Sequence, residues 1–208
     1  MAVMANYPDK YFDLTITDPP YGLPDSSTHR RGKLKNRILN KGGLKSWDVK
    51  PSQEYFDELF RVSKNQIIWG GNYFTLPPTR CVIVWDKVQP WENFSQVEIA
   101  WTSFEMPAQL FKFDNRTGDK IHETQKPIAL YKWLLSKYAK PGDKILDTHG
   151  GSMSSVIACI DGGFDMVCSE LDKDYFAAAV NRINKHVRQM DMFNERPNII
   201  IHEPTKVL

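Results

Sequence analysis

The sequence predicts an α/β domain, and three stretches carry that prediction. Residues 11–17 form an apolar run typical of a strand, and residues 81–85 are apolar without interruption, as in a strand buried on both faces. Residues 143–172 have the pattern strand, glycine turn, helix, strand, which is the order of a crossover between parallel strands. At 208 residues, the chain is long enough for one domain with a substantial core.

Periodicity places the remaining elements between these stretches. Apolar residues at helical spacing predict four helices, at residues 52–63, 127–138, 153–161 and 173–190. Further strands are expected at residues 65–69, 165–169 and 198–201. Residues 96–103 and 109–114 alternate and predict a late pair of strands, with antiparallel pairing as one option.

Composition is that of an ordinary globular protein, with 41% hydrophobic residues, 25% charged residues and a net charge of +2. No apolar run approaches the roughly 20 residues of a membrane span, and no signal peptide pattern is present. Cys81, Cys159 and Cys168 have no metal-type spacing and are predicted to be reduced core residues of a cytoplasmic protein. The five histidines are scattered, so a zinc site is not expected.

The first predicted strand ends in the stiff corner Asp18-Pro19-Pro20-Tyr21. Proline fixes φ and has no N–H, so this corner presents a carboxylate and carbonyl groups without competing donors. Two acceptors, the Asp18 carboxylate and the Pro19 carbonyl, could hold both hydrogens of an aromatic amine and favour a nitrogen with a free lone pair. The carboxylate also favours the positive charge that builds up on that nitrogen. The alternative interpretation is a proline turn with a solvated Asp18.

Residues 22–46 combine glycines with a high density of basic side chains. Beside a pocket of the size of a base, such a segment would attract a phosphate backbone and give salt-dependent binding. The predicted nucleic-acid contacts are Arg30, Arg31, Lys33, Lys35 and Arg37. The alternative is a solvated loop, which is the commonest role of a charge run.

The glycine turn in residues 143–172 has the pattern of a nucleoside-binding crossover. Glycines allow a ligand to approach the backbone, and a carboxylate about twenty residues later can hold ribose hydroxyls. Glu170 follows Gly151 by 19 positions. The turn is not G-x-G-x-x-G, so a dinucleotide is not favoured, and an ordinary βαβ unit remains the alternative.

Four blocks taken together resemble the amino-group DNA methyltransferases that use S-adenosyl-L-methionine, in the permuted order with the catalytic half first. They are similar above all to the phage and prophage adenine methylases. The blocks are the corner at Asp18, the helix-start motif at residues 122–127, the glycine loop at residues 147–152 and the acidic end at residues 170–172.

The resemblance implies a role for each block. The catalytic residues would be Asp18, Pro19, Pro20 and Tyr21. S-adenosylmethionine would be bound by Asp18 again and by three groups of residues: Thr124, Gln125, Lys126 and Pro127; Asp147, Thr148, His149, Gly150, Gly151 and Ser152; and Glu170, Leu171 and Asp172.

The resemblance also implies a Rossmann-like methyltransferase fold: a mostly parallel, seven-stranded sheet with one antiparallel strand near its edge and helices on both faces. The chain would be one domain, with a catalytic half at residues 1–114 and a cofactor half at residues 115–208. The expected reaction is methylation of adenine in DNA at N6. The cytosine amine and a non-catalytic DNA-binding subunit are the alternatives, and a homodimer is compatible with the resemblance.

Overall fold

The computed structural model describes residues 3–22, 49–90, 95–114, 121–122, 124–188 and 198–202. In these ranges the chain forms one eight-stranded sheet. The strands are Phe12–Thr17 (β1), Ser63–Trp69 (β2), Val82–Asp86 (β3), Val97–Thr102 (β4), Gln109–Lys112 (β5), Lys144–Asp147 (β6), Asp165–Ser169 (β7) and Ile199–His202 (β8). The helices are Gln53–Val62 (α1), Ile128–Tyr138 (α2), Ser154–Gly162 (α3) and Lys173–Arg188 (α4). The predicted helices and strands are confirmed to within two residues at each end.

The strand order in the sheet is β5-β3-β4-β2-β1-β6-β7-β8. Every pairing is parallel except those of β4, which runs antiparallel to both of its neighbours, β2 and β3. The short connection from β3 to β4 suits an antiparallel pair, because a parallel pair needs a crossover of a dozen or more residues. The mostly parallel sheet with one reversed strand is therefore confirmed.

Two details of the predicted sheet are wrong. The sheet has eight strands rather than the seven that the resemblance implied, with β5 and β8 at its two edges. The late strands β4 and β5 do not pair with each other; β5 pairs in parallel with β3. The physical reason is that both edges of β4 are occupied by β2 and β3, so the outer edge of β3 is the position left for β5.

Apolar side chains fill both faces of the sheet. On β1, Leu14 and Ile16 pack in the cluster that contains the apolar residues of α2, α3 and α4, whereas Phe12, the first residue of the strand, packs in the cluster that contains those of α1. Cys81, Cys159 and Cys168 are free and buried, which confirms their predicted place in the core. None of the described helices combines the length and the apolarity that a membrane crossing requires.

Met153, the N-cap residue that precedes α3, has a left-handed backbone conformation with φ of 53°, although it is not a glycine. This conformation is costly for a residue with a Cβ. The Met153 side chain is 0% exposed and belongs to the cluster beneath α3. Apolar burial therefore offsets the local strain, and the side chain points into the core.

We expect Met153→Ala to lower the free energy of unfolding by about 2–4 kcal/mol, because the variant loses the buried side chain and keeps the unfavourable backbone conformation. Urea denaturation measures this loss. Leu110→Ala is the matched control, since Leu110 on β5 is 55% exposed and should change stability by less than about 0.5 kcal/mol. Equal stability of the two variants would contradict the assignment of Met153 to the core.

Candidate active site

Two strands that carry acidic residues end side by side at one edge of the sheet. β1 leads into Asp18 and β6 ends at Asp147, and the two strands pair in parallel. One residue beyond β6, the hydroxyl of Thr148 lies 2.9 Å from that of Thr17. The two acidic strand ends therefore open at the same edge, which is where ligands bind in parallel α/β sheets.

The Asp18 carboxylate is held on both of its oxygens. Tyr21 donates its hydroxyl to Oδ1 at 2.7 Å, and the Lys126 ammonium contacts Oδ2. Pro19 is buried and Pro20 is half-buried, while 17% of the Asp18 side chain remains exposed. The corner is thus a rigid, partly open acceptor.

The Tyr21 ring lies in a gap that a glycine creates. Gly70 follows β2 with φ of 69°, and a Cβ at this position would lie 2.1 Å from a Tyr21 ring carbon. Tyr21 also stacks on Tyr73, with ring centroids 4.8 Å apart and planes 19° apart. Tyr73 is 39% exposed, so the pair presents an aromatic surface beside Asp18. Tyr73 was not among the site residues predicted from the sequence, although its position shortly after Gly70-Gly71 was a usable signal.

Lys126 is buried between two carboxylates. Its ammonium contacts Asp18, lies 3.0 Å from Oε2 of Glu98, and is 5.1 Å from the centroid of the Trp69 ring. Burial acts to lower the pKa of Lys126, but Asp18 and Glu98 outweigh it and hold the pKa well above its usual value. Lys126 is therefore charged at neutral pH. Sequence reasoning assigned Lys126 to the cofactor, and it missed both this ion pair and Glu98.

The glycine turn after β6 is fixed by Glu170. The backbone N–H of Gly151 donates to one Glu170 oxygen and that of Asp172 to the other, each at 2.7 Å. Burial raises the pKa of Glu170 and outweighs these donors. Gly150 must be small, since a Cβ there would lie 2.7 Å from the sulfur of Cys168. Leu171, next to Glu170, is 56% exposed at the same edge.

Asp147 is turned beneath the glycine turn, and only 1% of the residue is exposed. Its carboxylate accepts the backbone N–H of His149 at 3.0 Å and the hydroxyl of Ser155 at 2.6 Å. Burial is the largest influence and raises the pKa of Asp147 to about 7. In this structure Asp147 anchors the turn to the start of α3.

A partly buried polar cluster joins the two strand ends to α1. The hydroxyl of Tyr55 lies 2.6 Å from that of Thr148, and Nδ1 of His149 lies 3.3 Å from the Thr17 hydroxyl. Burial lowers the pKa of His149 to about 4, so the imidazole is neutral at physiological pH. From the sequence, Tyr55 was expected only as one of the apolar residues whose spacing predicts the helix at residues 52–63. Its hydroxyl has a second role, because it fixes the geometry of both strand ends.

The predicted helix-start motif packs against the glycine turn. The ring centroids of His122 and Tyr175 are 4.1 Å apart. A Cβ on Gly151 would be in van der Waals contact with the His122 ring, at 3.7 Å. The Thr124 hydroxyl lies 3.1 Å from Nδ1 of His122, and Gln125 accepts the N–H of residue 121 at 3.0 Å. The motif thus lies at the same edge as the glycine turn.

The remaining predicted positions are in different surroundings. Pro127 is the residue that precedes α2 as its N-cap. The carbonyl of Ser152 accepts Nη1 of Arg182 at 2.8 Å, and this arginine on α4 was not selected from the sequence. The predicted nucleic-acid contacts lie outside the described residues; these are Arg30, Arg31, Lys33, Lys35 and Arg37.

Asp147→Asn should change how stability depends on pH. Between about pH 4 and pH 7 the folded protein keeps a proton on Asp147 that the unfolded chain has released, so this residue makes stability fall as pH rises. Relative to the Asn variant, the wild type should lose about 2–4 kcal/mol of unfolding free energy between about pH 4.5 and pH 7.5. Urea denaturation at both pH values measures the difference. Parallel profiles of the two proteins would contradict the raised pKa.

Comparison with known proteins gives matches to DNA methylases. Residues 83–181 match a family model described as DNA methylase. YubD of Escherichia coli (strain K12), which is provisionally named a methylase, is 23% identical over 217 residues that cover 90% of this chain and 88% of YubD.

Solved structures extend the likeness to the fold. M1.HpyAVI in complex with SAM aligns with a TM-score of 0.57 and 20% identity, over 88% of this chain and 92% of that one. The cytosine-N4-specific PvuII DNA methyltransferase aligns with a TM-score of 0.58 and 14% identity, over 92% and 84%. The chain therefore has the fold of the S-adenosylmethionine-dependent DNA methyltransferases, and over residues 83–181 it is related in sequence to the DNA methylases.

Proposed function

We propose that this protein is a DNA methyltransferase that methylates the exocyclic amine of a base, with N6 of adenine as the target. The observation that carries the proposal is the position of the Asp18 corner directly beside the glycine turn held by Glu170. A group bound at the glycine turn and a base bound at the Asp18 corner would lie next to each other, because the corner follows β1, the turn follows β6, and these strands are neighbours in the sheet. Methyl transfer requires this juxtaposition above all, because direct displacement depends on the positions of the reactants.

The residues around the glycine turn fit S-adenosylmethionine. When bound, this molecule supplies a methyl group on a sulfonium sulfur. Gly151 has φ of 52°, the left-handed backbone that glycine allows, and a Cβ there would be in van der Waals contact with the His122 ring at 3.7 Å. The Glu170 oxygens each accept one N–H and retain lone pairs for ribose hydroxyls, and the exposed Leu171 offers an apolar contact to an adenine ring.

The corner residues have separate roles in this proposal. The Asp18 carboxylate and the Pro19 carbonyl accept the two amine hydrogens and favour the charge that develops on nitrogen. Burial raises the pKa of Tyr21, so its phenol stays protonated and continues to donate to Asp18. The Tyr21–Tyr73 pair supplies an aromatic surface for a base that has left the duplex.

Methylation of cytosine at N4 is the second candidate. It is supported by the structural likeness to the cytosine-N4-specific PvuII enzyme. Adenine is preferred because the chain resembles the adenine methylases at its corner, where cytosine enzymes often have Ser in place of Asp18.

Asp18→Ala should reduce methyl transfer by at least about 100-fold, since it removes the acceptor for the target amine. The assay transfers tritiated methyl groups from S-adenosylmethionine to unmethylated DNA and separates the methylated nucleosides, so it also distinguishes adenine from cytosine. Asp57→Ala is the control, because Asp57 is an exposed carboxylate on the surface of α1 that accepts a hydrogen bond from the Gln53 side chain. If the wild type transfers no methyl group to DNA, the proposed function is wrong; undiminished transfer by Asp18→Ala would remove the proposed mechanism.

Neutralising Arg30, Arg31 and Lys33 together should weaken DNA binding and flatten its salt dependence. Each lost phosphate contact lowers the slope of log K against log salt by about 0.9. Fluorescence anisotropy with a labelled duplex over a salt series measures this slope. A control with the same net charge neutralises three exposed residues elsewhere: Lys112, Lys185 and Arg188. Equal slopes in the two triple variants would exclude the basic segment as the DNA contact.

A further inference from the structure

We propose that Glu98 is a positioning residue for methyl transfer, acting through Lys126 on Asp18. The Glu98 carboxylate attracts the Lys126 ammonium and so weakens its effect on Asp18. The Asp18 carboxylate therefore keeps enough negative charge to accept the hydrogens of the target amine. This inference rests on the proposed function and adds to it a residue that lies outside the four sequence blocks.

Glu98 lies on β4, the reversed strand, and its two oxygens face two different cations. Oε1 is 2.6 Å from the Lys87 ammonium, and Oε2 is 3.0 Å from the Lys126 ammonium. Burial acts to raise the pKa of Glu98, but Lys126 and Lys87 outweigh it and hold the pKa below its usual value. Glu98 is therefore a carboxylate at neutral pH, and its charge reaches the corner by way of Lys126.

One oxygen of Glu98 is available as a second acceptor for Lys126. Oε2 is buried and makes no hydrogen bond within the described part of the chain, although the ammonium is 3.0 Å away. In this arrangement the ammonium donates to Asp18 and forms an ion pair with Glu98. Because an ammonium has three N–H donors, a small rotation of the Lys126 side chain would strengthen its interaction with Glu98 at the expense of that with Asp18, with the ammonium staying between the same two residues.

Such a shared ammonium matters because Asp18 is already occupied. Tyr21 donates to Oδ1 and Lys126 to Oδ2, and both donors reduce the pull of the carboxylate on a positive charge that develops on the target nitrogen. In a poorly solvated cleft the charged ammonium of Lys126 has a larger effect than the neutral hydroxyl of Tyr21. Glu98 competes for that ammonium and so restores negative charge to Asp18. Without the negative charge of Glu98, the whole positive charge of Lys126 would act on Asp18 and neutralise it.

Glu98→Gln tests this inference in single-turnover methyl transfer with saturating S-adenosylmethionine and DNA. We expect the rate to fall about 10-fold or more, while the affinity for S-adenosylmethionine changes by less than about 3-fold. The same substitution in a Lys126→Gln background should change the rate by less than about 2-fold, because Glu98 acts through Lys126. Glu58→Gln is the control, since Glu58 pairs with Arg61 on α1.

Lys87→Gln separates positioning from a loss of structure. It frees Glu98 to act on Lys126 alone, so the rate should stay the same or rise, whereas damage to a merely structural ion pair would lower it. Thermal unfolding of each variant shows whether it is folded. An unchanged rate in Glu98→Gln, equal losses in both Lys126 backgrounds, or a loss in Lys87→Gln that matches Glu98→Gln would each overturn the inference. A wild type that transfers no methyl group would overturn the proposed function and this inference together.

Discussion

The parallel pairing of β1 with β6 is the constraint on which the candidate site depends. Residues 18–143, a stretch of 126 residues, separate the end of β1 from the start of β6, yet their pairing brings the proline corner and the glycine turn to the same edge of the sheet. Hydroxyl contacts between Thr17 and Thr148, one residue further along, hold the strand ends in register. A slip of one residue would direct each side chain to the opposite face and separate the corner from the turn.

The cleft combines charged groups that could not be buried singly. Asp18, Lys126, Glu98 and Lys87 form a chain of alternating charges whose sum is zero. An isolated buried ammonium would lose its proton or disrupt the fold, and removal of one partner from a buried pair is strongly destabilising. The candidate catalytic carboxylate is therefore part of the structural electrostatics of the domain, and stability and reactivity are linked at this point.

The sequence predicted the secondary structure and the strand-end motifs because these features are local. Proline rigidity around Asp18, helical periodicity and the spacing of Glu170 from Gly151 can be read from neighbouring residues. The pairing of β5 with β3 could not be predicted, since it depends on which sheet edge is free. The contact of Lys126 with Glu98 was missed for a similar reason: an isolated Glu in a predicted strand gives no signal, and its partner is 28 positions away.

The gap at Gly70 has an evolutionary consequence. The volume that a side chain would occupy at this position is filled by the Tyr21 ring, so the two residues share one space. A side chain at position 70 can be tolerated only if position 21 loses its aromatic ring or the ring rotates away from Tyr73. Homologues should therefore show covariation between these positions, with glycine at 70 accompanying a large ring at 21, and the backbone freedom of one residue would limit which bases the other can stack on.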